Sequence, residues 1–372
     1  MKNKIIFFVI ITSIIFSIGM LVGAYEHSTI KSLSNFIYPK QTSIDWSLYI
    51  YEDNVQNLIH INNENDILKK RMELVNYIWP IGGFPSSKLP NSIEENITDD
   101  RYSNFENIEQ IDKITVLMEN NVTSIAYLFH PNQSNNKLVI YHQGHDGDFF
   151  KGQDTIQFLL NKNYSVLAFS MPLLGMNNQP VVETQFGKIK LTSHNDFQFL
   201  ESEQFSPIKY FIEPITVSLN YVDEQFDFDK YMMVGISGGG WTVGLYSALD
   251  ERISESYSVA GSVPMFLRSI PGNQGDYEQR LPTLYRIAEY LDLYVMSSYG
   301  QDRKFIQIFN KYDHCCFSGE IYTTYYDEIK SRMNQLGKGE FEIFLDDTHY
   351  EHKISQHALE IIISSIERSK ID

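Results

Sequence analysis

Cysteine is nearly absent from this chain. Two occur in 372 residues, side by side at Cys315 and Cys316. Two cysteines build no disulfide framework, which excludes a cysteine-stapled scaffold. The pair is expected as two small buried hydrophobes under the Asp313 loop, a bond between neighbours being the alternative. No Cys/His spacing suggests zinc, so no metal is expected, and no cofactor either. Positive charge is also scarce: 30 Lys and Arg stand against 47 Asp and Glu, a net charge of -17. No Lys/Arg cluster reverses this locally. A surface of this sign repels phosphate backbones, which excludes nucleic acid as a partner. No internal repeat and no low-complexity tract occurs, which excludes solenoids and propellers.

What is present begins at the N-terminus. Lys2 and Lys4 precede the uncharged apolar stretch Ile5–Ala24. It is long enough to cross a bilayer. It also has the basic-then-apolar order of a signal peptide, with Val22-Gly23-Ala24 as a small-residue cleavage site. Either reading of residues 1–24 places 25–372 outside the cytoplasm, secreted or anchored through this segment if it is uncleaved. No cysteine follows the run, which excludes a lipid-modified N-terminal cysteine.

The remaining chain is 43% hydrophobic when the whole sequence is counted, enough for a sizeable core. Residues 25–109 read as an N-terminal extension. Val55, Leu58, Ile67, Leu74 and Ile78 recur at helical spacing over 52–78, and Pro80 ends the run. A loop over 81–100 follows.

From 110 to 372 short apolar runs alternate with helical patterns. Strands are expected at 114–118 and 122–129, antiparallel, and then at 138–141, 164–169, 231–234, 254–260, 305–309 and 341–345. Helices are expected at 154–160, 207–222, 283–293, 323–336 and 355–366. The alternation predicts an α/β domain, a mostly parallel central sheet flanked by helices. Insertions at about 172–204 and 262–302 lie over the strand ends.

One turn organises this domain. Gly235-Ile236-Ser237-Gly238-Gly239 follows a strand and opens a helix, the context in which G-x-S-x-G holds a serine on a strained corner. A serine hydroxyl needs a base, and the base needs a carboxylate to orient it. Both belong after strand ends, downstream of Ser237. Asp313 follows the strand at 305–309 by one short turn and fits the acid. His349 and His352 both lie in the loop after the last strand. A helix capped by Ser355 favours His352 as base, whereas a cap at Thr348-x-x-Glu351 favours His349. Two backbone donors should face the oxyanion: Gly238, after the nucleophile, and the Gly144-His145 loop after the strand at 138–141.

With these pieces the chain resembles the α/β-hydrolase superfamily over about residues 110–370. The Ser237 elbow is the most specific motif. Tyr141-His142-Gln143-Gly144-His145-Asp146-Gly147 looks like the oxyanion loop of that superfamily, but with Gln143 inserted between histidine and glycine. This departure leaves the second donor among Gly144, His145 and Asp146. His352-Lys353-Ile354-Ser355 is similar to the H-x-[IV]-S segment of carboxylesterase-like members, which implies His352 as the base. The resemblance implies a serine hydrolase acting on a small-molecule carboxylic ester through an acyl-enzyme. A peptidase of the same fold and a non-catalytic surface-anchored binding module are the alternatives. The acidic surface and the insertions suggest a small or polar ester rather than a bilayer lipid.

Overall fold

The computed structural model describes residues 55–268 and 274–368. The apolar runs become β1 (Ser92–Glu94), β2 (Gln110–Leu117), β3 (Thr123–His130), β4 (Lys137–His142), β5 (Ser165–Phe169), β6 (Val181–Thr184), β7 (Gly187–Lys190), β8 (Lys230–Ile236), β9 (Ile253–Val259), β10 (Lys304–Asn310) and β11 (Glu340–Asp346). Nine of them form one sheet in the order β1-β2-β3-β5-β4-β8-β9-β10-β11, and β6-β7 is a separate ribbon. β1, β2, β3 and β5 pair antiparallel in turn. From β5 through β4, β8, β9 and β10 to β11 every pairing is parallel. The parallel strands lack polar alternation because both faces are covered. Leu138, Val139, Ile140 and Tyr141 of β4 are all buried.

The helices are α1 (Glu64–Ile78), α2 (Gln153–Asn161), α3 (Lys209–Gln225), α4 (Gly238–Leu249), α5 (Tyr277–Arg280), α6 (Pro282–Ile287), α7 (Tyr290–Ser298), α8 (Tyr326–Leu336) and α9 (Gln356–Arg368). On one face α2 and α9 supply Ile156, Leu159, Leu359 and Ile362 to a core shared with Val139, Val166, Val234 and Ile308. On the other, α4 packs beside α7, and Ser297 donates to the Gly244 carbonyl at 2.7 Å.

α1 begins where Asn63 accepts from the N–H groups of Asn65 at 2.9 Å and Asp66 at 3.3 Å. It then docks beside the elbow helix. Arg71 donates to the Ala248 carbonyl, a free acceptor at the C-terminus of α4, at 3.0 Å. Further along, Trp79 donates through Nε1 to the buried Glu213 of α3 at 2.7 Å, and Lys88 pairs with the same carboxylate at 2.5 Å.

Three segments differ from the sequence expectation. The single helix over 283–293 is two, α6 and α7. Ala288 is extended there, and Glu289 and Asp292 form a capping box that starts a new helix. The segment 172–204, which has no periodicity, contains the β6-β7 ribbon and a 3-10 turn at His194–Phe199. The loop at 81–100 contributes β1, a three-residue edge strand too short to show a pattern. Among the described residues no helix is long and apolar enough to cross a membrane, and Ile5–Ala24 lies outside them. Ile50–Asp372 forms one compact unit; the other, Met1–Tyr49, also lies outside the described residues.

Candidate active site

β8 ends at Ile236; Ser237 follows with φ 56 and ψ -127, and α4 starts at the next residue. A positive φ is costly for a residue with a Cβ and persists only when its surroundings hold it. Here the Ser237 N–H donates to the Val259 carbonyl at 3.0 Å, and the Ser237 carbonyl accepts from Trp241 at 3.1 Å. The glycine of the turn is sterically required, since a Cβ on Gly239 would lie 2.1 Å from the His142 carbonyl oxygen. Ser237 is half-buried at the carboxyl end of the sheet.

The loop after β4 lies against this corner. A Cβ on Gly144 would come within 2.6 Å of the Ser237 Cβ. The Gly144 and His145 N–H groups donate to no backbone carbonyl among the described residues. Gly238 is the first residue of α4, so its N–H has no acceptor within the helix. Gln143, the inserted residue, turns inward. Its side chain accepts from the Tyr141 hydroxyl and donates to Asp146 at 2.5 Å, which braces the loop. His142 is buried, and that burial pushes its imidazole down to about 4. It is neutral at pH 7, and its Nδ1 donates to the Gln143 carbonyl at 2.9 Å.

Asp313 follows β10 by a short turn and is buried. Its Oδ1 accepts from the Cys315 N–H at 2.8 Å, and its Oδ2 stands 2.5 Å from His352 Nδ1. The carboxylate thus accepts the Nδ1–H hydrogen bond, leaving Nε2 as the basic nitrogen. That Nε2 is buried and has no hydrogen-bond partner among the described residues. The loop bearing His352 is fixed at both ends. Ser355 caps α9 by accepting from the Ala358 N–H at 2.9 Å. The Ser355 hydroxyl donates to Asp346 at the end of β11. Burial works to raise the Asp346 carboxyl, yet hydrogen bonds from Ser355 and Thr348 hold it below its ordinary value.

His349 goes elsewhere. Its Nε2 lies 3.3 Å from Asp346 Oδ2, and neither ring nitrogen forms an aligned hydrogen bond. No helix starts at Thr348, whose N–H and hydroxyl both bind Asp346 instead, at 3.0 and 2.6 Å.

The cysteines overturn an expectation. Cys315 and Cys316 are joined to each other, and they are exposed and half-buried rather than core hydrophobes. The turn that presents Asp313 carries them to the surface. They come close to His352, but bridged sulfurs are not thiolates and make no metal ligand set.

Sequence spacing offers His145 no metal-ligand partner. The fold brings it together with His194, Asp276 and Glu278 from the two insertions. Glu278 is fully buried between His145 Nε2 at 2.8 Å and His194 Nδ1 at 3.2 Å. Burial would raise its carboxyl, but the two histidines hold it well below the usual carboxylate range. A cavity of about 690 Å³ opens between the extension and the first insertion, lined by Trp79, Phe199, Glu201 and Phe205. Ser237, Asp313 and His352 do not line it.

No protein-family model matches the chain, and no curated protein matches it. Solved structures do. An acetyl xylan esterase from Paenibacillus sp. R4 matches with a TM-score of 0.54 at 16% identity, over 86% of this chain and 99% of that one. Acetyl xylan esterase 1 from Thermoanaerobacterium sp. JW/SL YS485 matches with 0.54 at 12%, over 85% and 97%. The glucuronoyl esterase from Solibacter usitatus matches with 0.53 at 9%, over 82% and 92%. Identities this low speak for the fold alone, and the fold these chains share with this one is that of the α/β-hydrolases.

Proposed function

We propose that this protein is a serine hydrolase that cleaves small carboxylic esters. One observation carries the reading: Asp313 Oδ2 stands 2.5 Å from His352 Nδ1, which leaves Nε2 unpartnered on the strand-end side that also bears the Ser237 elbow. A serine on a strained corner, a base and an orienting carboxylate, in that chain order, constitute acyl-transfer chemistry.

The Ser237 hydroxyl attacks the acyl carbon while His352 Nε2 takes its proton. Asp313 stabilises the imidazolium that forms. The oxyanion accepts from the N–H of Gly238 and from the Gly144-His145 loop. The C–O bond to the alcohol breaks as His352 returns the proton to the leaving oxygen. Water then attacks the acyl-enzyme by the same route and frees the acid. The serine-to-base hydrogen bond often tightens only once substrate is seated. The names of the three structural neighbours, all esterases, favour an ester over an amide.

We place the enzyme outside the cytoplasm, secreted or held by its N-terminal segment. Lys2, Lys4 and the apolar Ile5–Ala24 support this, as does a disulfide between Cys315 and Cys316, a bond that persists in oxidising compartments.

The test is turnover of nitrophenyl esters of increasing acyl length against aminoacyl nitroanilides. Ester hydrolysis is expected, with losses on the order of 10⁴-fold or more in kcat for Ser237→Ala and His352→Ala. Nitroanilides turned over faster than esters, or ester turnover that survives in Ser237→Ala, would overturn the reading.

A further inference from the structure

We infer that His145, His194, Asp276 and Glu278 form a structural site for one divalent cation of zinc's class, which clamps both insertions to the loop after β4. The four residues come from three separate segments. His145 lies in that loop, His194 in the first insertion, and Asp276 and Glu278 in the second. One ligand atom from each lies within 4.8 Å of those of the others.

The wiring of His194 carries the inference. It is buried, and its Nε2 donates to the Pro172 carbonyl at 2.9 Å. A ring nitrogen that faces a carbonyl must bear a proton, so Nδ1 is the nitrogen that His194 turns toward the Glu278 carboxylate. Metal-bound histidines show this arrangement, donating the other ring N–H to a carbonyl or carboxylate. Nδ1 and Glu278 Oε2 are 3.2 Å apart, yet both are buried and neither forms an aligned hydrogen bond. The two atoms are placed to share a proton or a cation, and a divalent ion bound here displaces the proton from Nδ1.

Two of the separations come close to those of a tetrahedral set, and the third is a hydrogen bond that a bound ion would open. Ligands about 2.1 Å from a tetrahedral ion stand about 3.4 Å from one another. Here His145 Nε2 is 2.8 Å from Glu278 and 3.2 Å from Asp276, and the His194 contact is also 3.2 Å. Two imidazoles and two carboxylates suit zinc, and four protein ligands leave no open position, so the site is structural. The side chain of Asp276 is 42% exposed, which gives the ion a route in from solvent.

The experiment uses the untagged chain, stripped with a chelator and then dialysed against zinc or cobalt. The expected result is about one zinc per chain, visible d–d bands of tetrahedral cobalt, and a Tm about 5 °C or more above that of the stripped protein. Asp276→Ala changes a half-exposed residue and should weaken zinc binding at least about tenfold. Glu278→Gln should abolish the cobalt bands. Ser237→Ala should bind zinc as wild type does, so the result does not depend on the hydrolase reading. A wild-type chain that retains no metal and shows no Tm shift would overturn the site and leave an imidazolium–carboxylate cluster. So would zinc binding undiminished in both Asp276→Ala and Glu278→Gln. If Glu278→Gln does not fold, Asp276→Ala decides the location.

Discussion

Gly144 stands closer to the nucleophile than any side chain could. A Cβ there would meet the Ser237 Cβ at 2.6 Å and the Ile236 carbonyl oxygen at 2.8 Å, both on a strained corner that cannot give way cheaply. Gly144→Ala should therefore shift the corner and the oxyanion loop together. The expected loss in kcat is about 10²-fold or more, the scale of removing one oxyanion donor, with far-ultraviolet circular dichroism unchanged. His142, two residues earlier, gives a pH prediction. Burial depresses it from 6.5 to about 4 in the folded chain. Between those values the unfolded chain binds the extra proton and the folded chain does not, so stability falls as pH drops from about 6.5 to about 4. The full effect is about 3 kcal/mol. Urea midpoints for wild type and His142→Gln should converge as pH falls through this window, if the substitution costs stability at pH 7.

At the scale of elements, two buried carboxylates help fasten the extension to the sheet domain: Asp292, which receives the His60 N–H at 2.7 Å and Lys70 at 3.1 Å, and Glu213. Glu213 of α3 receives Trp79 at 2.7 Å and Lys88 at 2.5 Å, and Lys209 lies 3.2 Å away. Glu213→Ala leaves the buried Trp79 N–H without its acceptor, while Lys209 keeps Glu119 at 2.6 Å, and should cost about 1–3 kcal/mol, read as a lower urea midpoint. It should also speed proteolysis near residues 81–100. Nothing in the sequence around Glu213 marks it as an anchor for the extension, because Trp79 and Lys88 lie more than a hundred residues upstream. The strands are a different case. β4, β5, β8 and β10 are legible as apolar runs because both faces are buried, and their boundaries, with those of β9 and β11, fall within a few residues of the expected ones. β1 is not legible, since a three-residue edge strand has no room for a period. The break between α6 and α7 is written in Glu289-x-x-Asp292, a cap signal that the apolar periodicity running across it conceals.

For the whole molecule, legibility follows distance from the strand ends. Ser237, Asp313 and His352 each sit in a short connection after a parallel strand, so a local pattern and chain order suffice to nominate them. The contest between His349 and His352 turns on three-dimensional wiring, which carries one ring to Asp346 and the other to Asp313. Glu278, Asp276 and His194 come from insertions without periodicity, and only the folded chain brings them to His145. Adjacency in sequence likewise says nothing of whether Cys315 and Cys316 are buried or joined. The fold is α/β-hydrolase throughout the sheet domain, and the proposed chemistry depends on one hydroxyl. Treating the purified chain with a fluorophosphonate and mapping the adduct by mass spectrometry addresses that hydroxyl directly. The expected result is a single label on the peptide containing Ser237, absent in Ser237→Ala and formed far more slowly in His352→Ala. A wild-type chain that stays unlabelled, or a Ser237→Ala chain labelled to the same extent, would contradict the assignment.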